Sequence, residues 1–529
     1  MANRRNFIKS SLLGGAGILV GTRAVDGGGA GNPELEELTI DGLQQLMTSG
    51  KLTAEAATAG YLARIEAIDR SGPKINSVIE TNPDALAIAR RLDEERRAGK
   101  VRGPLHGIPI LIKDNIDTAD RMRTTAGSLA LAESTAPRDA FIVERLRAAG
   151  AVLLGKTNLS EWANFRSPRS VSGWSGRGGQ TLNPYALDRN PCGSSSGSGA
   201  ATAASLCAAS IGTETDGSIV CPSNANSLVG LKPTLGLVSR AGIIPISASQ
   251  DTAGPMARTV TDAAILLTAL TGVDPRDPAT AASQKWIERD YVRFLDRQGL
   301  QGVRLGVARD YFGFNNRVDH LMEEAIGVLK RLGAVIVDPV RDPTRGLYDD
   351  AEMTVLLYEF KDGLNAYLRT ISPAIGLRTI DDIIKYNETH RQLEMPWFGQ
   401  ETMVTAAGKG PLSSPEYLRA RARCRNLSRR LGLDAMIRKH RLDALIAPTG
   451  GPAWKTDHLN GDHFSGGFST AAAVAGYPHL TVPAGYIGGV PVGLSIFAGP
   501  WAEGRLLRYA YAFEQATQHR QAPQYIKMS

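Results

Sequence analysis

The sequence is poor in cysteine, in aromatic residues and in charge. It holds four cysteines in 529 residues, with 6% aromatic and 21% charged residues against 43% hydrophobic residues. The cysteines form no C-x-x-C pair and lie near no histidines at metal-ligand spacing, which argues against a zinc site or a disulfide scaffold. We therefore expect no metal, no disulfide framework and four buried apolar thiols, at Cys192, Cys207, Cys221 and Cys424.

A large excess of charge of one sign is also missing. The formal net charge is +7, and four of the positive residues (Arg4, Arg5, Lys9 and Arg23) lie in a short N-terminal segment. Without these four the net charge is +3, which is too small to indicate a nucleic-acid partner. The hydrophobic content suffices for a large core and no motif indicates a cofactor, so we expect a globular protein that needs none.

The N-terminal segment predicts export. The run Asn3-Arg-Arg-Asn-Phe-Ile-Lys9 precedes an apolar, glycine-rich stretch over 12–20. This pattern is typical of a twin-arginine signal peptide, here residues 1–24. The apolar stretch is far shorter than the roughly 20 residues that span a bilayer. We expect a periplasmic or secreted protein that meets the twin-arginine export machinery and has no stable membrane insertion after processing.

The apolar pattern predicts an α/β fold. Spacings of three and four over 34–97 indicate helices, whereas the short apolar runs 108–112 and 151–154 indicate strands. Charged, amphipathic helical segments dominate 275–440, after which apolar strands return. We expect a single domain over 33–529, with 275–440 as a helical excursion within it.

One nucleotide-binding motif matches in its residue types but not in the predicted secondary structure around it. Residues 150–157 read G-x-x-x-x-G-K-T, the phosphate-loop pattern, which needs a strand before its first glycine and a helix after its threonine. Here a predicted helix precedes Gly150, and the intervening residues form a strand that cannot curl its amides around phosphates. The sequence therefore disfavours a nucleotide site.

A second motif would make Ser195 a nucleophile. Residues 193–197 fit G-x-S-x-G, the nucleophile elbow of α/β-hydrolases, and His479 would be the candidate base. An elbow follows a buried strand, whereas 183–192 is polar and contains two prolines. The segment is no flexible linker either, because an alanine-rich helical run follows it directly.

Simple geometry connects Ser194 to Ser218 instead. A helix over 199–208 would run about 15 Å, and a strand over 209–213 would return about 16 Å. Both serines would then lie at the same end of the core. The turn over 215–218 can direct successive N–H groups at one point, as an oxyanion hole requires.

The same residues carry a family resemblance. Together with the lysine segment they resemble the amidase signature family from about Leu38 to the C-terminus. The matching stretches are 103–110, Lys113-Asp-Asn115, 191–198, 212–219 and 230–234. Residues 213–222, with 239–256 and 471–482, are similar to the bacterial peptide amidase branch.

The resemblance implies a fold and a set of roles. The family fold is a mixed, many-stranded β-sheet covered by α-helices. Position by position, Lys113 matches the catalytic lysine, Ser194 the serine that follows a cis peptide bond, and Ser218 the acylated serine. The backbone N–H groups that match the oxyanion hole belong to Thr215, Asp216, Gly217 and Ser218.

The chain departs from the family pattern at two positions. Many members have Gly-Gly-Ser-Ile-Arg where this chain has Asp216-Gly-Ser-Ile-Val220. The backbone donors survive both changes, but Asp216 adds a carboxyl beside a forming oxyanion. The peptide amidase branch carries the same departures, which favours a subfamily over an inactive enzyme.

The expected function is hydrolysis of amides, in particular the deamidation of C-terminal peptide amides to acid and ammonia. Ser218 would attack, Ser194 would relay its proton to Lys113, and water would later release the acyl group. A broad acylamidase or carbamate hydrolase is the alternative, since fold and triad do not fix the substrate. From another class, the chain could be the amidase-like subunit of a glutamine-dependent transamidation complex, which the export signal disfavours.

Lys113 can serve as a base only if its pKa is lowered. An ordinary lysine is neutral in about 0.04% of molecules at pH 7. Leu111 and Lys113 share strand parity, so the amine would follow an apolar face inward, where desolvation disfavours its charged form. We expect an apparent pKa between about 6 and 8.

The export signal makes a direct prediction. Replacing both arginines, Arg4→Lys with Arg5→Lys, should leave the protein in the cytoplasm with unchanged activity, because the twin-arginine route reads that pair. Cell fractionation with an activity assay on each fraction measures this. Undiminished export of the double variant would contradict the signal assignment.

Overall fold

The computed structural model describes residues 34–527, so the expected signal peptide at 1–24 lies outside the described residues. Within this range the chain forms thirteen strands and sixteen α-helices. The strands are β1 (Val78–Thr81), β2 (Pro109–Lys113), β3 (Val152–Thr157), β4 (Trp174–Ser175), β5 (Gly179–Gln180), β6 (Ala209–Glu214), β7 (Val229–Lys232), β8 (Thr252–Ala257), β9 (Arg304–Ala308), β10 (Val335–Val340), β11 (Ala444–Pro448), β12 (His479–Ile487) and β13 (Val490–Phe497). The helices are α1 (Ile40–Thr48), α2 (Ala54–Arg64), α3 (Ala85–Arg97), α4 (Phe141–Ala148), α5 (Ser196–Ala203), α6 (Val220–Ala225), α7 (Val260–Leu270), α8 (Asn316–Arg331), α9 (Asp349–Leu368), α10 (Ile380–Thr389), α11 (Arg391–Glu394), α12 (Glu401–Ala407), α13 (Pro415–Arg425), α14 (Asp434–His440), α15 (Thr470–Ala475) and α16 (Glu503–Thr517).

Eleven of these strands form one mixed sheet. Their order is β1-β3-β2-β6-β8-β7-β12-β13-β11-β9-β10, and β4 pairs with β5 separately. Strand β2 runs parallel to β3 and β6, and β9 runs parallel to β10 and β11. The other neighbours are antiparallel. The predicted α/β class with a mixed, many-stranded sheet covered by helices is confirmed.

The strands around β2 are buried on both faces. Every residue of β2, β3 and β6 is buried, as expected for parallel strands that helices cover on both sides. Their apolar side chains, including Ile110, Leu153 and Ile211, belong to the largest core cluster. A lysine at the end of β2 is therefore held inside a nonpolar interior.

Both edges of the sheet are irregular. Strand β1 has only four residues and shifts register against β3 between Val78 and Glu80. Strand β10 shifts register against β9 between Val337 and Val340 and contains Pro339, which has no N–H to offer a neighbour. Register shifts also occur inside the sheet, in β2 between Ile110 and Leu111 and in β12 between Pro483 and Gly485.

The segment 275–440 is mostly helical but also supplies two strands that the sequence analysis did not predict. Strands β9 and β10 form one edge of the main sheet, and α8 connects them. Asn315 begins α8 by accepting hydrogen bonds from the next helical N–H groups, and Val318, Met322, Ile326 and Leu329 form its buried stripe. The excursion is therefore joined to the sheet.

No helix in residues 34–527 combines the length and apolarity that crossing a bilayer requires.

Candidate active site

Lys113 lies at the carboxyl end of β2, where parallel strands of α/β sheets commonly present ligand-binding residues. Its side chain is fully buried. The Nζ atom lies 2.8 Å from Ser194 Oγ, 2.9 Å from Thr213 Oγ1 and 3.2 Å from the Thr213 carbonyl oxygen. Two predicted site residues, Lys113 and Ser194, are thus in direct contact. Thr213, which the sequence analysis did not single out, makes the other two contacts with the amine.

The environment of Lys113 favours the neutral amine. Burial lowers the pKa of Lys113 to about 7, because desolvation disfavours the ammonium more than the nearby charges of Glu214 and Asp251 favour it. The direction and size agree with the range expected from strand parity.

The three oxygen atoms around Nζ could accept from an ammonium, and the neutral amine can use the same three contacts. A neutral amine has two N–H groups and one lone pair. The Thr213 carbonyl oxygen can only accept, so it takes one N–H, and Thr213 Oγ1 can take the second. Asn115 Nδ2 also donates to Thr213 Oγ1, over 3.0 Å. The lone pair of Lys113 then faces the Ser194 hydroxyl and can receive its proton.

Ser194 follows a cis peptide bond from Gly193, as the family resemblance implied. It is buried just before α5, which begins at Ser196 and ends at Ala203. The helix is shorter than the predicted 199–208 and begins three residues earlier. It packs so closely that a Cβ atom on Gly197 would overlap the carbonyl oxygens of Ser77 and Asn158, so only glycine fits there.

Among the described residues, the Ser195 hydroxyl is hydrogen-bonded to the Thr213 backbone and not to a side chain that could act as a base. Its hydroxyl donates to the Thr213 carbonyl oxygen over 3.0 Å and accepts from the Thr213 N–H over 3.2 Å. Its backbone N–H donates to the Ser218 carbonyl oxygen over 3.1 Å. His479 instead contacts Ser495, and burial lowers its pKa to about 3. These contacts argue against the elbow interpretation, and Ser195 ties the Ser194 segment to the Ser218 turn.

The turn over 215–218 presents unused backbone donors. None of its four N–H groups donates to another group within the described chain, 34–527. Ser218 is 8% exposed, and its hydroxyl makes no hydrogen bond to Ser194 or to any other described residue. The turn therefore combines a reachable hydroxyl with free N–H groups, the combination that an oxyanion hole beside a nucleophile needs.

Glu214 holds the backbone that follows Ser218. Its Oε2 atom accepts from the N–H groups of Ile219 over 2.7 Å and Val220 over 3.1 Å. Burial raises the pKa of the Glu214 carboxyl.

Two further carboxyl groups, those of Asp216 and Asp251, accept hydrogen bonds at the turn. Asp216 accepts a hydrogen bond from Thr470 Oγ1 over 2.7 Å, and Asp251 accepts one from Thr215 Oγ1 over 2.6 Å. Desolvation raises the pKa of Asp216, and raises that of Asp251 to about 6.

A cavity of about 220 Å³ adjoins the lysine network through Asn115 and Thr213. Apolar residues of 243–246 form much of its wall, and Ser194 and Ser218 are not among its lining residues.

The phosphate-loop motif forms no loop. Strand β3 covers most of it, and α4 ends just before Gly150, as the sequence analysis expected. Lys156 is buried and donates to the Ile116 carbonyl oxygen and to Thr124 Oγ1. Residues 34–527 contain no cluster of three or more His, Cys, Asp or Glu that could hold a metal ion.

The expectation of four free thiols is wrong for two of them. Cys192 and Cys221 form a disulfide with a Cα–Cα distance of 5.9 Å, whereas Cys207 and Cys424 are free and buried. The expectation rested on the lack of a local cysteine pair. It missed that the fold which joins Ser194 to Ser218 also brings together the cysteines that flank them.

Comparisons with known proteins agree with this geometry. A model of the Amidase family matches residues 56–507. A solved structure of a peptide amidase in complex with the competitive inhibitor chymostatin has a TM-score of 0.90 and 53% identity, covering 92% of this chain and 99% of that chain. Native peptide amidase from Stenotrophomonas maltophilia has a TM-score of 0.88 and 52% identity, covering 93% and 99%. A probable amidase from Arabidopsis thaliana is 42% identical over 501 residues, which cover 93% of this chain and 92% of the relative.

The contacts of Ser195 predict a role in stability. Ser195→Ala should lower the free energy of unfolding by about 1–3 kcal/mol, because the buried Thr213 N–H loses its acceptor. Urea unfolding at 25 °C measures this. The folded variant should keep most of its activity, since the N–H to Ser218 is retained.

Ser196→Ala is the matched control. Ser196 is equally buried, but its hydroxyl has only a long 3.5 Å contact with Ser160, so this change should cost less. Loss of all activity in a stable Ser195→Ala protein would restore the elbow interpretation.

Proposed function

The chain belongs to the amidase family and hydrolyses amide C–N bonds, and on this premise we propose that Ser218, Ser194 and Lys113 form its catalytic triad. The observation that carries the proposal is the buried Lys113 amine, 2.8 Å from the Ser194 hydroxyl and with a pKa of about 7. At neutral pH a large fraction of this amine is neutral and can accept a proton.

The first half of the reaction acylates Ser218. Its oxygen attacks the amide carbon while its proton passes to Ser194 Oγ and the Ser194 proton passes to Lys113 Nζ. The resulting ammonium of Lys113 then returns a proton, through Ser194, to the nitrogen that leaves. The C–N bond breaks and ammonia departs from a primary amide.

The second half consumes one water molecule. Water attacks the acyl ester of Ser218 and loses a proton along the same route to Lys113. The ester C–O bond breaks, Ser218 regains its proton and the acid is released. The amide and water are thus converted to acid and ammonia, with the enzyme unchanged.

The reaction also needs hydrogen-bond donors for the negative oxygen of its intermediates, and the free N–H groups of 215–218 can provide them. Both tetrahedral intermediates carry a negative oxygen, and donors already oriented in the turn stabilise it without reorganisation. We assign the oxyanion hole to Thr215, Asp216, Gly217 and Ser218. The Glu214 hydrogen bonds to the next two N–H groups hold the turn in this shape.

The proposed substrate is the C-terminal amide of a peptide. Peptide amidase structures share 52–53% identity with this chain over more than nine-tenths of its length, which supports the same substrate class. For the location, the sequence pattern of 1–24 supports export through the twin-arginine machinery to a periplasmic or extracellular site.

Lys113 as base predicts the pH dependence. The reaction needs the neutral amine, so kcat/KM should rise with pH through an apparent pKa of about 7. Lys113→Ala should lower kcat/KM by several orders of magnitude. Initial rates with a peptide amide between pH 5 and 9 measure this.

Two variants identify the titrating group. Asp251→Asn removes a charge that favours the Lys113 ammonium, so the midpoint of the rise of kcat/KM with pH should move to lower pH. If the titration of Asp251 itself produced this rise, the rise would disappear in the variant. His106→Ala should keep the profile, because His106 is buried against the Leu92 carbonyl oxygen. If the rise of kcat/KM with pH persisted in Lys113→Ala and disappeared in His106→Ala, histidine would be the base.

The substrate and nucleophile are tested together. The purified protein should release ammonia from a blocked dipeptide amide faster than it cleaves an anilide or a carbamate, and should leave the same dipeptide acid intact. Ser218→Ala should lower turnover by about 10³-fold or more with an unchanged circular dichroism spectrum. Faster anilide or carbamate cleavage would favour the broad acylamidase, and an active Ser218→Ala would refute the assigned nucleophile.

A further inference from the structure

The Cys192–Cys221 disulfide lies beside the two serines of the site. Cys192 precedes Ser194 by two residues, and Cys221 follows Ser218 by three. The bond is the outer of two ties between these segments. The inner tie is the hydrogen bond from the Ser195 N–H to the Ser218 carbonyl oxygen. Residues 192–195 and 218–221 thus form a small closed ring, which we call the serine clamp.

The clamp connects directly to the turn that carries the free N–H groups. The Cys221 N–H donates to the Gly217 carbonyl oxygen over 2.7 Å, so a shift of Cys221 displaces a peptide unit of that turn. On the other side, the Cys192 N–H donates to Asn190 Oδ1 over 2.8 Å. Each half-cystine is therefore fixed to its own segment, and the covalent bond fixes the two segments to each other.

Hydrogen bonds also join the two segments, but the disulfide is the covalent link between them. Asn226 Nδ2 bridges the carbonyl oxygens of Pro191 and Pro222, over 3.0 and 2.7 Å. The Ser195 hydroxyl adds two hydrogen bonds to the Thr213 backbone, and Asn183 Nδ2 donates to the carbonyl oxygens of Asn190 and Ala225. The disulfide is packed against Ala225, Ala453 and Trp454, a thin cover with Cys221 only partly buried.

We propose that the Cys192–Cys221 disulfide is a positioning bond that holds Ser218 in register with Ser194, so that full amidase activity requires the oxidised protein. This inference rests on the proposed roles of the two serines. A displacement of about 1 Å between reacting groups can cost about 100-fold in rate, although binding of the substrate elsewhere is unaffected.

The chemistry of the switch is a two-electron exchange. A dithiol reductant breaks the S–S bond, leaves two cysteine thiols and closes its own disulfide. In the reverse direction, an oxidant of the disulfide class takes the two electrons, and its own sulfurs receive the two protons. Oxidising compartments outside the cytoplasm supply such oxidants, so the newly made chain would gain full activity on oxidation. On this proposal the Arg4→Lys, Arg5→Lys variant held in the cytoplasm should show the lower activity until it is oxidised, in place of the unchanged activity expected from the sequence alone.

The test measures kcat and KM for a peptide amide before and after dithiothreitol, well below the unfolding temperature. Reduction should lower kcat by at least about tenfold and change KM by less than about threefold, with an unchanged far-ultraviolet circular dichroism spectrum. Mass spectrometry after alkylation counts the new thiols. Reoxidation should restore kcat.

The double variant Cys192→Ala with Cys221→Ala is the matched control. It should show the low kcat of the reduced wild type with and without dithiothreitol. An unchanged kcat in the fully reduced, folded protein would overturn the inference. Unfolding on reduction would also overturn it, since the bond would then serve the fold alone. Inactivity of the oxidised wild type on every amide would instead refute the proposed function.

Discussion

Burial of the Lys113 amine is the constraint on which the site depends. An ammonium has no adequate solvation at the end of a strand buried on both faces, so the side chain gives up its proton near neutral pH. A neutral amine then needs partners for two N–H groups and a lone pair, and Thr213 and Ser194 provide them. The position of Lys113 at the end of β2 thus determines both the pKa of its amine and the partners to which it can pass a proton.

The sequence was sufficient for much of this arrangement. Strand parity placed Lys113 inward, and the out-and-back path of helix and strand placed Ser194 and Ser218 at the same end of the core. These features depend on local periodicity and on short chain segments. The link between Lys113 and Ser194 came from the family resemblance. The role of Thr213 could not be found in this way, because its approach to Lys113 depends on the register of β2 with β6, which pairs Ile112 with Ile211 and which only the structure shows.

Other features depend on contacts between distant segments and leave no local signal. Strands β9 and β10 lie within a segment dominated by charged, amphipathic helical patterns, and β10 has one buried residue, so the strands do not stand out there. The disulfide joins cysteines 29 residues apart, a pairing that only the folded path of 192–221 reveals. Likewise, nothing near Glu214 in the sequence indicates that its carboxyl would receive the two N–H groups after Ser218.

The irregular edges of the sheet have a consequence for association between molecules. An open sheet of eleven strands ends in two rows of backbone groups that could template a strand from another chain. Here β1 is too short and bulged, and Pro339 interrupts β10, where the neighbouring Asp338 is paired with Arg309. Such edges resist edge-to-edge aggregation, which matters for an open sheet that is not closed into a barrel.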